Sequence, residues 1–249
     1  MLENYENIII YGLGLSGLEA LNKFKNKKNI FIWDDSEKKR KELEKKGYQF
    51  LDPRDWPWEN IDLLISSPGI PINFGMNSFI IKESKKNNIK IIGDIEVFYQ
   101  EFQNFKNKKI IAVTGTNGKS TFATILYEIL SKSGLKVSLG GNIGIPALSL
   151  NINECDIIIF EISSFQLELI EDFKADISIL LNITEDHAER YESFEEYQKT
   201  KIKIFLNQKD EDYAILDNTY LSKKILDEIN PLPRKIYFNE LKTNAPNLN

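Results

Sequence analysis

The chain has one cysteine, Cys155, and one histidine, His187, in 249 residues. A lone cysteine allows no internal disulfide and no thiolate-rich metal cluster, and it fits a reducing compartment. Cys155 precedes an apolar run and has no basic neighbour to activate it, so it reads as inert. No apolar stretch approaches the length of a membrane span. The N-terminus, MLENYENIII, carries acids and passes straight into a strand pattern, unlike a signal peptide. Positive charge is not in excess either, because 32 Lys and Arg stand against 37 Asp and Glu, a formal net charge of −5. That balance points away from nucleic acid and anionic membranes. Internal repeats are absent, and the only bias is toward Lys, Asn and Ile. The expectation is a cytoplasmic monomer with small-molecule partners, no nucleic acid and no membrane insertion.

What is present centres on Ile110–Thr121, IIAVTGTNGKST. A β-branched run leads into Thr114-Gly115-Thr116-Asn117-Gly118 and then Lys119-Ser120-Thr121. The following residues have helical spacing, with Phe122, Ile125, Leu126, Ile129 and Leu130 on one face. Strand, glycine turn, Lys-Ser and helix together make a phosphate-binding loop. Glycines let backbone N–H groups turn inward, and the helix N-terminus adds partial positive charge there. Lys119 would reach terminal phosphates and the Ser120 hydroxyl would ligate Mg²⁺. The loop is tighter than the general G-x-x-x-x-G-K-[ST] pattern, because Val113 stands at the first glycine position.

The rest of the chain alternates strand and helix. Strands are predicted at Asn7–Tyr11, Ile30–Trp33, Ile61–Ser66 and Ile89–Ile92. Helices are predicted at Leu18–Lys25, Glu37–Lys46, Asn77–Asn87 and Asp94–Phe102. This pattern gives an α/β fold with a Rossmann-like parallel sheet covered on both faces. Gly12-Leu13-Gly14-Leu15-Ser16-Gly17 after the first strand, with Asp34-Asp35 ending the second, is the dinucleotide fingerprint. The same glycine geometry serves any nucleotide diphosphate, so a NAD site and another nucleotide site both stand open. Ser67-Pro68-Gly69 ends a third strand, as a ligand edge or as a plain Pro-Gly turn. Trp56 and Trp58 read as loop packing.

A new strand–loop–helix unit starts at Ile110, which puts the domain boundary near Gly93, with domains over 1–93 and 94–249. The second domain is predicted as strand Ile110–Val113, helix Lys119–Lys132, then strands Lys136–Leu139, Asp156–Glu161 and Asp176–Asn182. Helix Phe194–Leu206, strand Tyr213–Leu216, helix Leu221–Ile229, strand Lys235–Phe238 and a polar tail follow. Four strand ends carry polar groups: the phosphate loop, Gly140–Gly144 with Asn142, Glu161–Gln166 with Ser163, and Asn182–His187. In a parallel sheet these ends share one edge. Glu161 ends an apolar run, so its charge needs compensation, by Mg²⁺ beside a triphosphate or by a backbone partner. His187 lies among Asp186, Glu189 and Arg190 on that edge and reads as functional.

VTGTNGKST, GGNIG, EISSFQLE and NITEDHAERY, in that order, resemble the Mur ligases of bacterial cell-wall synthesis. SSFQLE with GLGLSG and SSPGI is similar to the branch that adds D-glutamate to UDP-N-acetylmuramoyl-L-alanine. The resemblance implies an N-terminal UDP-sugar domain, a P-loop central ATPase domain and a C-terminal domain. It turns the Gly12–Gly17 loop toward uridine diphosphate, with Leu15, Ser16, Asp34, Asp35 and Gly69 lining that pocket. Asn142, Ser163 and His187 would meet the muramoyl-alanine end. ATP would be held by Gly115, Thr116, Asn117, Gly118, Lys119, Ser120 and Thr121, and Mg²⁺ by Ser120, Glu161 and His187. In YQKTKIKIF, Tyr197 and Lys201 match a Y-x-x-x-K motif whose lysine is carbamylated by CO₂, making Lys201 a further Mg²⁺ ligand; Lys199 and Lys203 lie close by. Lys119, His187 and Lys201 would be the catalytic set. The implied reaction passes through an acyl phosphate, which the D-glutamate amine then attacks.

The chain is shorter than that plan, and the resemblance implies that the C-terminal domain is absent and ligase activity low or nil. A folylpolyglutamate-type ligase shares the central domain, but residues 1–93 argue against it. Another Mur-type ligase, a binding-only remnant that holds UDP-sugar or ATP, and a NAD-dependent oxidoreductase are the other readings. The last leaves the phosphate loop unexplained.

Overall fold

A computed structural model describes residues 2–26, 29–74, 77–186, 189–217 and 233–238. His187, the predicted helix Leu221–Ile229 and the polar tail lie outside the described residues. The described residues form two parallel sheets. The first has the order β2-β1-β3-β4 and the second β10-β9-β8-β5-β7-β6.

The first sheet consists of β1 (Asn7–Tyr11), β2 (Asn29–Trp33), β3 (Leu63–Ser66) and β4 (Lys90–Ile92), with helices α1 (Leu15–Phe24), α2 (Glu37–Glu44) and α3 (Phe79–Lys86) between them. Both faces are buried, as the unbroken apolar run of β1 requires. Ile8 and Ile10 pack with Ala20, Leu21 and Phe24 of α1. Ile9 and Tyr11 point the other way, toward Ile80 and Ile81 of α3 and the rings of Trp56 and Trp58. Both tryptophans fill core, their indole N–H groups donating to the Leu51 and Pro53 carbonyls at 3.1 and 2.9 Å.

The next helix, α4 (Asp94–Phe102), spans both units. Its Val97 joins the first core, while Ile95, Phe98 and Phe102 join the core of the second sheet. The second sheet contains β5 (Lys109–Thr114), β6 (Val137–Gly141), β7 (Ile157–Glu161), β8 (Ile177–Leu180), β9 (Tyr213–Leu216) and β10 (Arg234–Tyr237). Helix α5 (Lys119–Lys132) follows β5, a one-turn helix α6 (Ser164–Leu167) follows β7, and α7 (Phe194–Ile202) precedes β9. Among the described residues no helix is long and apolar enough to cross a membrane.

Three of the differences from the sequence expectation have a local physical cause. Helix α1 starts at Leu15, inside the glycine loop, because Gly17 lies against the Gly12 carbonyl and only hydrogen fits between them. The predicted apolar face of α5 splits. Ala123, Leu126, Tyr127 and Leu130 pack on the sheet, whereas Phe122, Ile125 and Ile129 are exposed. A helix lying on a sheet covers it with a stripe narrower than its whole apolar surface. The long helix predicted to reach Leu206 ends at Ile202 and continues as a single 3₁₀ turn, Lys203–Phe205.

The close approach at Gly17 makes a prediction. A Cβ there would meet the Gly12 carbonyl oxygen at 1.9 Å, while a Cβ on Gly14 meets nothing within 4 Å. Gly17→Ala is expected to destabilise the chain by at least about 2 kcal/mol in urea unfolding, and Gly14→Ala by less than about 1 kcal/mol. Equal effects would contradict the packing described.

Candidate functional site

The chain crosses opposite faces of the second sheet after neighbouring strands. From β5 it runs over one face through α5, whose Ala123 meets Ile111 and Val113. From β7 it turns to the other face through α6, whose Leu167 joins Ile158 and Phe160. Between the carboxyl ends of β5 and β7 this reversal opens a crevice, the position where open α/β sheets take ligands. Val113 is paired in register with Glu161, and Gly141 of β6 with Glu161 on its other side.

Glu161 is 1% exposed. Its Oε1 accepts a 2.9 Å hydrogen bond from Asn142 Nδ2. Its Oε2 is buried, and no described residue offers it a hydrogen bond. A buried carboxylate oxygen without a donor is costly unless a cation or donor meets it. Gly141 makes the arrangement possible, since with φ +101° its missing Cβ would sit 2.4 Å from the Glu161 carbonyl.

The phosphate loop lies beside this carboxylate. Gly118, at φ +79°, caps α5 in the left-handed conformation that favours glycine. The Asn182 side chain holds the loop, accepting from Thr116 N–H at 3.1 Å and Asn117 N–H at 2.9 Å. Thr116 Oγ1 lies 3.1 Å from Tyr197 Oη and accepts from the Thr184 N–H at 3.0 Å. Lys119 Nζ donates to the Thr116 carbonyl at 2.9 Å, folded back over its own loop. The exposed Ser120 and Thr121 lie in the first turn of α5, whose N–H groups have no partner within the helix.

Lys201 enters the same site from α7. It is 1% exposed, and its Nζ donates to the Gly115 carbonyl at 2.8 Å and lies 4.8 Å from the Tyr197 ring centre. Burial first, and nearby Lys119 second, push its pKa down to about 7, with Asp186 opposing. Lys199, by contrast, pairs with Glu195 at the surface. Asp186, Tyr191, Phe194 and Tyr197 line a pocket of about 280 Å³ next to the loop.

The first sheet has a similar crevice between β1 and β3, since α1 and α3 lie on opposite faces. The Gly12–Gly17 and Ser67–Pro71 loops abut there, Ser67 N–H donating to the Tyr11 carbonyl at 2.8 Å. Asp34 ties the glycine loop internally, its carboxylate accepting from Leu13 N–H at 2.7 Å and Ser36 N–H at 2.9 Å. Asp35 is exposed and accepts from Tyr11 Oη at 2.5 Å. A groove of about 470 Å³ runs between Tyr11, Asp35, Gly69, Ile70 and Phe79. Leu15 is exposed in the first turn of α1, and Ser16 Oγ donates to the buried carboxylate of Asp94 at 2.7 Å.

The structure thus brings Gly115–Thr121, Asn142, Glu161 and Lys201 to one crevice, and Leu15, Ser16, Asp34, Asp35 and Gly69 to the other. Ser163 caps α6, its hydroxyl accepting from Gln166 N–H at 3.2 Å. Sequence reading missed Asn182 as the loop's brace and Tyr197 as its hydroxyl partner. Asn182 had a visible signal, since it ends a strand predicted to reach this edge. Among the described residues no group of three His, Cys, Asp or Glu side chains is placed to hold a metal. A hard cation here would draw on phosphate oxygens as well as Glu161.

Residues 113–247 match the family model for the Mur ligase middle domain. The chain is 41% identical over 202 residues to a UDP-N-acetylmuramoylalanine–D-glutamate ligase of Wolbachia pipientis wMel, covering 80% of this chain and 38% of the relative. It is 39% identical over 220 residues to the ligase of that name from Rickettsia bellii, covering 86% and 47%. The chain therefore spans less than half the length of either relative. Among solved structures, a UDP-N-acetylmuramate:L-alanyl-gamma-D-glutamyl-meso-diaminopimelate ligase from Neisseria meningitides superposes with a TM-score of 0.55 at 16% identity, over 93% of this chain and 78% of that one. A murein peptide ligase from Psychrobacter arcticus gives 0.52 at 14%, over 93% and 53%. At these identities the likeness is one of fold.

Lys201 gives the site a pH signature. Its pKa is about 7 in the folded chain against 10.5 for an ordinary lysine, so between those values the unfolded chain binds more protons and stability rises with pH. Lys201→Met removes this dependence. In CO₂-free buffer the variant is expected to be more stable than the wild type at pH 6, with the gap narrowing toward pH 9. A gap that is constant with pH would contradict a buried, depressed Lys201.

Proposed function

Because the chain belongs to the Mur ligase family, we propose that it serves ATP-dependent amide-bond formation, joining D-glutamate to UDP-N-acetylmuramoyl-L-alanine in peptidoglycan precursor synthesis. The observation that carries this reading is the buried Glu161 carboxylate, one oxygen unpaired, in register beside a phosphate loop. The names of the relatives at 41% and 39% identity support the D-glutamate branch. In this reading residues 1–93 bind the UDP-sugar and 94–249 bind ATP.

Each side chain has a task. Gly115–Thr121 cradle the phosphates, with backbone N–H groups and the start of α5 supplying positive potential. Lys119 Nζ lies 2.9 Å from the Thr116 carbonyl and leaves it to neutralise a terminal phosphate. That lowers the repulsion between the triphosphate and the substrate's alanyl carboxylate, and alignment of the two anions does most of the remaining work. Leu15, Ser16, Asp35 and Gly69 face the uridine diphosphate, and Asp34 shapes the loop that receives it. Asn142, Ser163 and His187 meet the muramoyl-alanine end.

The unpaired Oε2 of Glu161 fits a divalent cation, and Ser120, Glu161, His187 and a carbamylated Lys201 would hold Mg²⁺. When bound, that ion supplies charge neutralisation on the triphosphate. Lys201 suits carbamylation because an amine with a pKa near 7 is substantially neutral, hence nucleophilic toward CO₂, at physiological pH. The resulting carbamate would place an anion opposite Lys119, whose charge otherwise opposes protonation of Lys201.

Thermal unfolding with single ligands tests the reading. UDP-N-acetylmuramoyl-L-alanine and MgATP, each at a hundredfold excess over its Kd, should add about 2.7 kcal/mol of stability, while NAD adds none. Glu161→Gln should bind ATP equally well with Mg²⁺ or with EDTA, whereas the wild type binds more tightly with Mg²⁺. Stabilisation by NAD with no response to the UDP-sugar would overturn the proposal.

A further inference from the structure

We infer that Arg190 is a positioning residue that fixes the Ser67–Pro71 loop, and with it the UDP-sugar crevice, relative to the phosphate site. The inference deepens the proposed function and rests on its reading of that loop as substrate-binding.

Arg190 is 7% exposed. Its Nη1 donates to the Gly69 carbonyl at 3.2 Å, and its Nη2 to the Pro68 and Ile70 carbonyls at 3.1 and 2.9 Å. Three successive carbonyls of one loop therefore converge on a side chain some 120 residues away. On its other edge the guanidinium pairs with Glu168, Nε to Oε1 at 3.2 Å and Nη2 to Oε2 at 2.9 Å. Its flat face lies 4.6 Å from the ring centre of Phe165. Glu168 and Phe165 belong to the α6 segment that follows Glu161 and Ser163. One planar cation thus holds the end of β3 against the segment that follows β7.

Stability alone would be served by the Glu168 pair. The three carbonyl contacts serve the loop. The two prolines of the loop have no N–H and Gly69 has open space around it, so few backbone donors hold the loop from within. Its internal hydrogen bond runs from Ile70 N–H to the Ser67 carbonyl at 3.0 Å. Without Arg190 the Pro68, Gly69 and Ile70 carbonyls lose their shared donor. A lysine would keep the charge opposite Glu168 but has no planar fork to reach all three.

The same stretch continues to the phosphate site. Tyr191 stacks on Phe165 with ring centres 6.4 Å apart and meets Tyr197 at 5.2 Å. Tyr197 Oη contacts Thr116 Oγ1. From Arg190 to Tyr197, one short segment touches both the substrate loop and the phosphate loop.

The test uses Arg190→Lys, which keeps the buried charge paired and so favours folding, with Arg190→Met as the severe variant. Hydrogen exchange on the ligand-free chain reads the loop directly. In Arg190→Lys the hydrogen-bonded amides of Ser67 and Ile70 should exchange about tenfold faster, the loss expected for one charge-assisted bond, while those of β5 stay unchanged. Unchanged loop exchange would overturn the inference. Calorimetric titration supplies the second readout. UDP-N-acetylmuramoyl-L-alanine should bind about tenfold more weakly to the variant, with MgADP affinity within about twofold of wild type. Equal losses for both ligands would mark Arg190 as a general stability residue and overturn positioning. If the wild type binds MgADP but no UDP-sugar, the substrate reading fails, and the exchange result alone decides whether Arg190 holds the loop.

Discussion

The crevice of the second sheet depends on keeping one carboxylate, Glu161, buried at the end of a central strand. Four parallel-strand contacts fix its position: Val113 on one side, Gly141 on the other, Ile162 N–H on the Val113 carbonyl and Asn142 N–H on Glu161's own carbonyl. Asn142 satisfies one oxygen and the other has no described donor. Such a group is expensive in a low-dielectric interior, and a fold retains it where a ligand completes it. The same sheet edge carries Lys119, on the Thr116 carbonyl, and Lys201, on the Gly115 carbonyl.

Two cations at this edge are held in unequal ways. Lys119 is partly exposed and rests on a carbonyl it can leave, whereas Lys201 is sealed beneath the loop against Gly115. Their mutual repulsion contributes to the depressed pKa of Lys201, so any anion entering the crevice relieves both. The two crevices are also mechanically joined. Ser16 bonds Asp94, and Arg190 joins the loop after β3 to Glu168. Loops from both strands of the first crevice are thus tied to segments packed against the second.

Much of this was legible because it is local. β1, α4, α5 and β9 begin or end where runs of apolar residues meet glycine or acidic caps, and the bounds read from sequence for α4 and α5 coincide with those observed. The loop at Gly115–Thr121 shows in the sequence as a β-branched run, a glycine turn and Lys-Ser opening a helical pattern. What sequence did not yield is long-range or very short. Helix α6 is four residues, too few for any periodic signal, and is held by a capping box between Ser163 and Gln166. Arg190 looks like one more charge in an acidic loop until the fold brings Pro68–Ile70 to it. Asp34 and Asp35 are adjacent and identical in type, yet one is engaged by backbone N–H groups and the other faces a groove, a division set by the glycine loop's path. The outward apolar side of α5 was hidden because periodicity reports a face and not what covers it.

The most direct test of the central claim is anomalous diffraction from a crystal of this chain grown with Mn²⁺ and a non-hydrolysable ATP analogue. An ion is expected within direct coordination distance of Glu161 Oε2, also touching phosphate oxygens held by residues 115–121. A bound nucleotide whose phosphates lie in that loop while Glu161 Oε2 stays without any cation would contradict it.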